Sequence, residues 1–442
     1  MSRRRRLSNP PAFAIPMDEA NHESFTGTVI AKEGLKEPGP VLRQLAHEVQ
    51  AWAAAPAAKR RILGEIPDLS YLPHGFGRDI RRTFALLREE PGEHTAEAIS
   101  IGLIVVAEWA ETEEQAIRTA LVFHQAALLV LPSNVPIAYH IGRLLRRLAM
   151  YDEAEAWLTY AAEQARGAGD GYHQALALSG LGNLKRERGN FPEAVPLHQK
   201  ALDVARRHGV SRLEGDALYD LAVMCFERCE LADGMTYARE AMSAYGPGHD
   251  QIVRMANDLA WIWMHLHGEA DLALRIFQQI EPCVQDPPFR ALLLANIARA
   301  AAEVGAEHIY ESAWLEAFAY IRKQDVEDGH AAAFCQMALA SVAVEQLERA
   351  RHAANCCLQI AGRRREHRSV FMAEQILSSI HDGVPGPDGM KTLFPSFSAS
   401  SSPESAESLD SAEDFAAQLV MSVRARRDGA PESPVHALIR GR

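Results

Sequence analysis

Cys225 and Cys229 stand four residues apart, a spacing that puts both thiols on one face of a helix. Joined by a distant histidine, two such thiolates could hold zinc, or they could work as a redox pair. The rest of the chain does not complete either set. His265 and His267 are two apart on a helical stretch, so their side chains diverge and cannot share a metal. Cys356 and Cys357 are adjacent on another helix. These thiols therefore read as packed and reduced at helical positions. The sequence holds no Gly-rich phosphate loop, no Gly-x-Gly-x-x-Gly after a strand, no His-Glu-x-x-His and no Gly-x-Ser-x-Gly. The expectation is a protein that is not an enzyme, with no cofactor and no metal site.

Composition narrows the class further. The 442 residues carry 46 basic and 58 acidic side chains, a net charge of −12, so no basic face for bulk nucleic-acid binding is expected. The one basic run, Arg3 to Arg6, sits in a polar arm and reads as a solvated tail. It is followed by Leu7-Ser8-Asn9-Pro10-Pro11 rather than by an apolar run, so no secretory signal is read there. The most apolar stretch, Ala98 to Ala107, carries Ser100 and is too short to cross a bilayer. Six cysteines in so long a chain make no disulfide framework. A soluble, cytoplasmic chain without a membrane partner is the expectation. Hydrophobic residues make up 48% and aromatics 7%, with Ala and Leu abundant, which favours helices over sheets.

The elements are legible from a repeat. Ala138, Ile141 and Gly142 are followed by Tyr151, Ala154, Leu158 and Ala161. The same spacing returns as Leu178, Leu181 and Gly182, then Gly189, Phe191, Ala194, His198, Ala201 and Leu202. It returns again around Leu221 and around Ala260, so the anchors advance by 40, 40 and 39 residues. Fainter copies stand at Ile297 and Met337, and one near Leu103 has an ambiguous register. A fixed period of this kind marks a stacked array. Within the copy at Leu181, Gly189 and Asn190 break one helix, and Pro192 falls in the first turn of the next, where its missing N–H costs little. Gly182 and Ala194 are small because two helices cross closely. Pro196, one turn further on, is expected to remove a backbone bond and bend its helix.

The pattern Leu-x-x-Leu-Gly, Gly-x-Phe-x-x-Ala, Ala-Leu resembles the tetratricopeptide repeat, in the extended form of about 40 residues found in kinesin light chains and in bacterial regulatory proteins. The resemblance covers roughly residues 95 to 360. It implies an all-α, right-handed solenoid of about six to seven antiparallel helix pairs. It also implies that the first helix of each repeat lines a concave face. Exposed positions then fall at Tyr139, Arg143, Arg146 and Arg147, at Ser179, Asn183, Arg186 and Glu187, and at Tyr219, Val223, Phe226 and Glu227. In such repeats Asn183 sits where an asparagine amide pairs with a peptide backbone. Clustered arginines in an acidic protein would grip carboxylates, which suggests an acidic or extended peptide.

The expected organisation is a disordered arm over 1–40, a helical cap region over 41–94 and the array over 95–383. Two helices are read in the cap, Val41 to Ala54 and Arg78 to Glu90. A Ser-, Pro- and acid-rich linker follows over 384–410. Residues 411–442 hold a capping box at Ser411 to Asp414, an amphipathic helix with Phe415, Leu419, Val420 and Val423 on one face, and a disordered tail. The expected function is a protein- or peptide-binding adaptor or regulatory module. A peptide-sensing signalling or transcriptional regulator and a self-assembling scaffold are its rivals.

Overall fold

The computed structural model describes residues 10–13, 39–72, 74–112, 116–132, 134–228, 230–246, 248–284, 286–323, 329–382, 415, 417–419 and 421–423. The basic run at Arg3 to Arg6, the linker over 384–410, the capping box at Ser411 to Asp414, Cys229 and Val420 lie outside them. Among the described residues the fold is all-α, with no strand. The chain divides into two compact units, residues 1–184 with 323–326, and residues 185–322 with 327–442.

The N-terminal unit contains α1 (Gly39–Ala54), α2 (His74–Leu86), α3 (Glu93–Thr112), α4 (Ile117–Val130), α5 (Val135–Arg147), α6 (Tyr151–Ala168) and most of α7 (Gly171–Glu187). Packing runs α2 on α3, α3 on α4, α4 on α5 and α5 on α6, with α1 laid against α4. The helix expected from Arg78 to Glu90 starts and stops four residues earlier. Its end is set by Arg88, whose guanidinium takes the orphan carbonyl of Phe84 at 2.7 Å and reaches Glu48 at 2.9 Å. Leu158 of α6 is fully buried between two glycines. A Cβ on Gly142 of α5 would lie 2.7 Å from its Cγ, and one on Gly180 of α7 would lie 3.0 Å from its Cδ2. Small residues stand here because a leucine fills the space between the helices.

The C-terminal unit takes the end of α7 and continues with α8 (Phe191–His208), α9 (Ser211–Glu227), α10 (Leu231–Tyr245), α11 (Gln251–Ile262), α12 (Ala270–Ile280), α13 (Pro287–Glu303), α14 (Glu307–Ile321), α15 (His330–Ala343), α16 (Leu347–Arg364) and α17 (His367–His381). The turn into α8 follows its residues: Gly189 has φ 76°, and the Asn190 side chain accepts the Glu193 N–H. Helix α8 runs unbroken through Pro196. Each helix packs on the next in hairpins, and α9 also meets α11, α13 meets α15, and α15 meets α17. The helices that carry the sequence anchors thus stack on one another. Helix α11 widens into a π-turn at Trp263–His267 before Gly268, which has φ 72°. Near the C-terminus, Phe415, Leu419 and Val423 are buried, and the Arg239 guanidinium of α10 lies 5.5 Å from the Phe415 ring centre.

Candidate ligand-binding site

Two polar clusters lie on anchor-bearing helices, one in each unit. In the N-terminal unit, Glu111 at the end of α3 receives both arms of Arg143 at 2.8 and 2.6 Å and Arg147 at 2.8 Å, both from α5. Burial raises the Glu111 carboxyl, but the Arg143 hydrogen bonds and the charges of Arg143 and Arg147 outweigh it and leave its pKa lowered. Beneath this pair the rings of His124 and His140 stack 5.3 Å apart. Burial first, and then neighbouring charge, hold His124 down at about 3 and His140 at about 4, so both imidazoles are neutral in the fold.

The C-terminal unit contains a cavity of about 280 Å³, walled by α7, α9, α11, α13, α15 and α17. Its apolar lining includes Val223, Phe226, Trp261, Leu292 and Met372. Glu227 sits at its edge and accepts from Arg186 at 3.3 Å and from Arg368 at 2.7 Å, across 141 residues of sequence. The carboxylate of Asp258, on α11, accepts the Tyr219 hydroxyl on one oxygen and the Asn257 amide, 2.9 Å away, on the other. The Asn257 carbonyl in turn accepts the Asn296 amide at 3.0 Å. Burial raises the Asp258 carboxyl even against these two donors. His265 packs edge-on to Trp261, its ring centre 4.1 Å away, and burial drives its pKa well below the ordinary value.

A cavity walled by one helix from each of several successive hairpins is what a stacked repeat builds. Residues 134–207 match the tetratricopeptide-repeat family model. Over those residues the chain carries tetratricopeptide repeats. Its fold is similar to that of a Rap protein complexed with competence and sporulation factor, at TM-score 0.51 and 11% identity, over 73% of this chain and 99% of that one. The TPR2AB domain of yeast Sti1 in a pHSP90 complex is at TM-score 0.25 and 15% identity, over 63% of this chain and 99% of that one, and carries no weight. No curated protein sequence matches the chain.

In the repeat register, Tyr139, Arg143, Arg146 and Arg147 lie half-buried along α5, and Ser179 and Asn183 lie half-buried on α7 in the same unit. Arg186, Glu187 and Tyr219 are also half-buried. Arg186, Val223, Phe226 and Glu227 do converge on the cavity. Phe226 corrects the expectation of an exposed position. It is 5% exposed, because its ring lies against Gly234, where a Cβ would come within 2.5 Å of it. The described cysteines, Cys225, Cys283, Cys335, Cys356 and Cys357, are free thiols. Among the described residues no group of three or more His, Cys, Asp or Glu is placed to hold a metal ion, and no helix is long and apolar enough to cross a membrane.

Residue-by-residue reading missed the amides. Asn257, Asn296 and Gln336 are 39 and 40 residues apart, close to the repeat interval, and all three line the cavity. Their signal is a single polar residue recurring on successive anchor-bearing helices that are otherwise apolar, three residues before Ala260 and one before Ile297 and Met337.

Proposed function

We propose that this chain is a non-catalytic adaptor or regulatory module that binds a protein or peptide along the first helices of its tetratricopeptide repeats. The cavity of the C-terminal unit is one seat for that ligand. The observation that carries the reading is the cavity's wall, one helix from each of successive repeats, apolar with a few polar groups, which is the usual make-up of a binding pocket. The arginines first suggested an acidic ligand. Arg143 and Arg147 already hold Glu111, and Arg186 already holds Glu227, so apolar contact and hydrogen bonding lead and charge follows. The proposal places the chain in the cytoplasm, where buried thiols such as Cys335 and Cys357 stay reduced.

Random peptides displayed on phage and selected on the intact chain test this reading. Val223→Trp fills the cavity and should weaken the selected peptides by about ten-fold or more, the worth of one lost good contact. Lys200→Trp, on an exposed position of α8, should leave them unchanged. Peptides indifferent to Val223→Trp, or a selection that retains none, would refute it. The regulator reading gains from one observation, the similarity in fold to a Rap protein complexed with competence and sporulation factor. Under it, α1 and α2, ahead of the repeats, are where an output would lie.

A further inference from the structure

We infer that the cavity of the C-terminal unit recognises a neutral primary carboxamide on an apolar stem, the chemistry of a glutamine or asparagine side chain in a bound peptide. The inference rests on the proposed role of this face as the ligand face and names what it selects.

Three acceptors at the cavity are satisfied by no described protein group. Glu227 Oε2, Asn296 Oδ1 and Gln336 Oε1 are buried and receive no hydrogen bond from the described residues. They come from three helices, α9, α13 and α15, and all three residues line the same cavity. Asn296 is 1% exposed and Gln336 7% exposed, so neither can turn its carbonyl out to bulk water. Buried acceptors are costly to leave unmade, so such a set calls for a donor.

The direction of the Asn296 amide is fixed by its neighbours. Both oxygens of Asp258 accept, one from Tyr219 and one from Asn257. Asn257 must therefore present N–H to Asp258 and its carbonyl to Asn296. Asn296 must then spend an N–H on Asn257, which leaves its own carbonyl oxygen unserved. The carboxylate at one end thus polarises the row so that it ends in an acceptor.

The ligand's chemistry follows by elimination. A carboxylate only accepts, so it would meet three acceptors and two acids, Glu227 and Asp258. Its natural partners, Arg186 and Arg368, are already on Glu227. An ammonium or guanidinium would donate, but it would bring a third cation beside Arg186 and Arg368, which already equal in number the two acids, Glu227 and Asp258. A hydroxyl has one hydrogen for three acceptors. A primary carboxamide carries two N–H donors for these acceptors and no charge. Its stem would pack on Val223, Phe226, Trp261 and Leu292.

The probes are N-acetyl-glutamine methylamide and its glutamate and lysine counterparts, titrated against the full chain by ligand-observed NMR. The glutamine probe should bind at least about ten-fold more tightly than either charged probe. Asn296→Leu should remove that preference. Gln336→Met, which keeps the volume of the side chain, should reduce it too and serves if Asn296→Leu lowers helicity or the melting point. Equal binding of the three probes, no binding of the glutamine probe, or a preference untouched in both variants would overturn the inference. The peptide selection separates this failure from the other. Peptides that lose affinity to Val223→Trp yet ignore Asn296→Leu and Gln336→Met would sink the carboxamide while leaving the peptide-binding reading in place.

Discussion

Gly142→Ala should destabilise the N-terminal unit, and removing the Leu158 side chain should reverse the sign of that change. In an open helix, replacing glycine by alanine gains about 1 kcal/mol. Here the new methyl would sit 2.7 Å from Leu158 Cγ and 2.9 Å from its Cδ2. Leu158 cannot retreat, since it is fully buried and Gly180 closes its other side. Overpacking of that kind costs about 1–3 kcal/mol, so the single variant should lose up to about 2 kcal/mol net. Leu158→Ala alone should cost about 2–5 kcal/mol through lost burial and the cavity left behind. In that background most of the clash is gone, leaving the 3.1 Å approach to the Leu158 backbone nitrogen, and the extra methyl fills part of the void. Gly142→Ala should then be neutral or stabilising, a coupling of about 1–3 kcal/mol between the two sites. Hydrogen exchange of α5 and α6 amides reads the local free energy without requiring the two units to unfold together. Additivity within about 0.5 kcal/mol, or a Gly142→Ala variant more stable than the parent, would refute the wedge of Leu158 between α5 and α7.

Glu111→Ala should cost about 3 kcal/mol, since Arg143 and Arg147 lose a shared, largely buried carboxylate. Because the folded Glu111 pKa is lowered, that contribution is present above the unfolded carboxyl pKa and is lost as pH falls through the folded value, so melts of the two proteins should converge in strong acid. His124 and His140, held down at about 3 and about 4, stay neutral while the unfolded chain protonates below about 6.5. Stability of this unit should therefore fall as pH drops from about 6.5 towards 4, by up to about 1.4 kcal/mol per pH unit for each histidine, and His124→Leu should flatten the slope of a urea-midpoint series. Asp216 behaves oppositely: burial lifts its pKa to about 6 even though Tyr245 donates to it at 2.7 Å. Its folded pKa lies above the unfolded one, so stability is intact in acid and lost as pH rises towards 6, and Asp216→Asn should raise the melting point at pH 8 by the equivalent of about 2 kcal/mol while doing nothing at pH 3. Phe415→Ala should speed amide exchange at 417–423 and along α10 with little change in the global melt, and unchanged exchange would show that the Arg239 contact holds nothing.

The scaffold was legible because its logic is local and repeated. Leu181, Gly189, Pro192 and Ala194 each answer a demand of one hairpin, and the same demands return every 39 or 40 residues. Helix α2 was misplaced by one turn for the opposite reason. Its end is decided by Arg88 meeting Glu48, a residue 40 positions away on α1, and no helical period contains that. The partner of Arg143 and Arg147 was hidden in the same way. Glu111 belongs to the copy near Leu103, whose register is ambiguous in the sequence, so two arginines that read as free to grip a ligand are already spent.

The amide row marks the boundary between what one repeat can reveal and what only the stack can. Asn257, Asn296 and Gln336 each look like a tolerated polar residue on an apolar helix. A lone buried asparagine is a cost, and nothing local says why it stands there. On successive helices of the stack, the three line a single cavity, and Asp258 orients at least two of them so that a carbonyl is left unpaired. Glu227 completes the reversal. Its position read as an open groove residue beside an arginine, yet Arg368 arrives from α17 to share it with Arg186. The Glu227 charge is thereby matched within the C-terminal unit, and the unmet demand among the described residues of the cavity is for hydrogen-bond donors. A ligand chosen by that demand differs from the acidic one that the arginine spacing alone suggests, because Arg186 and Arg368 are spent on Glu227 and the neutral amides are left to do the recognising.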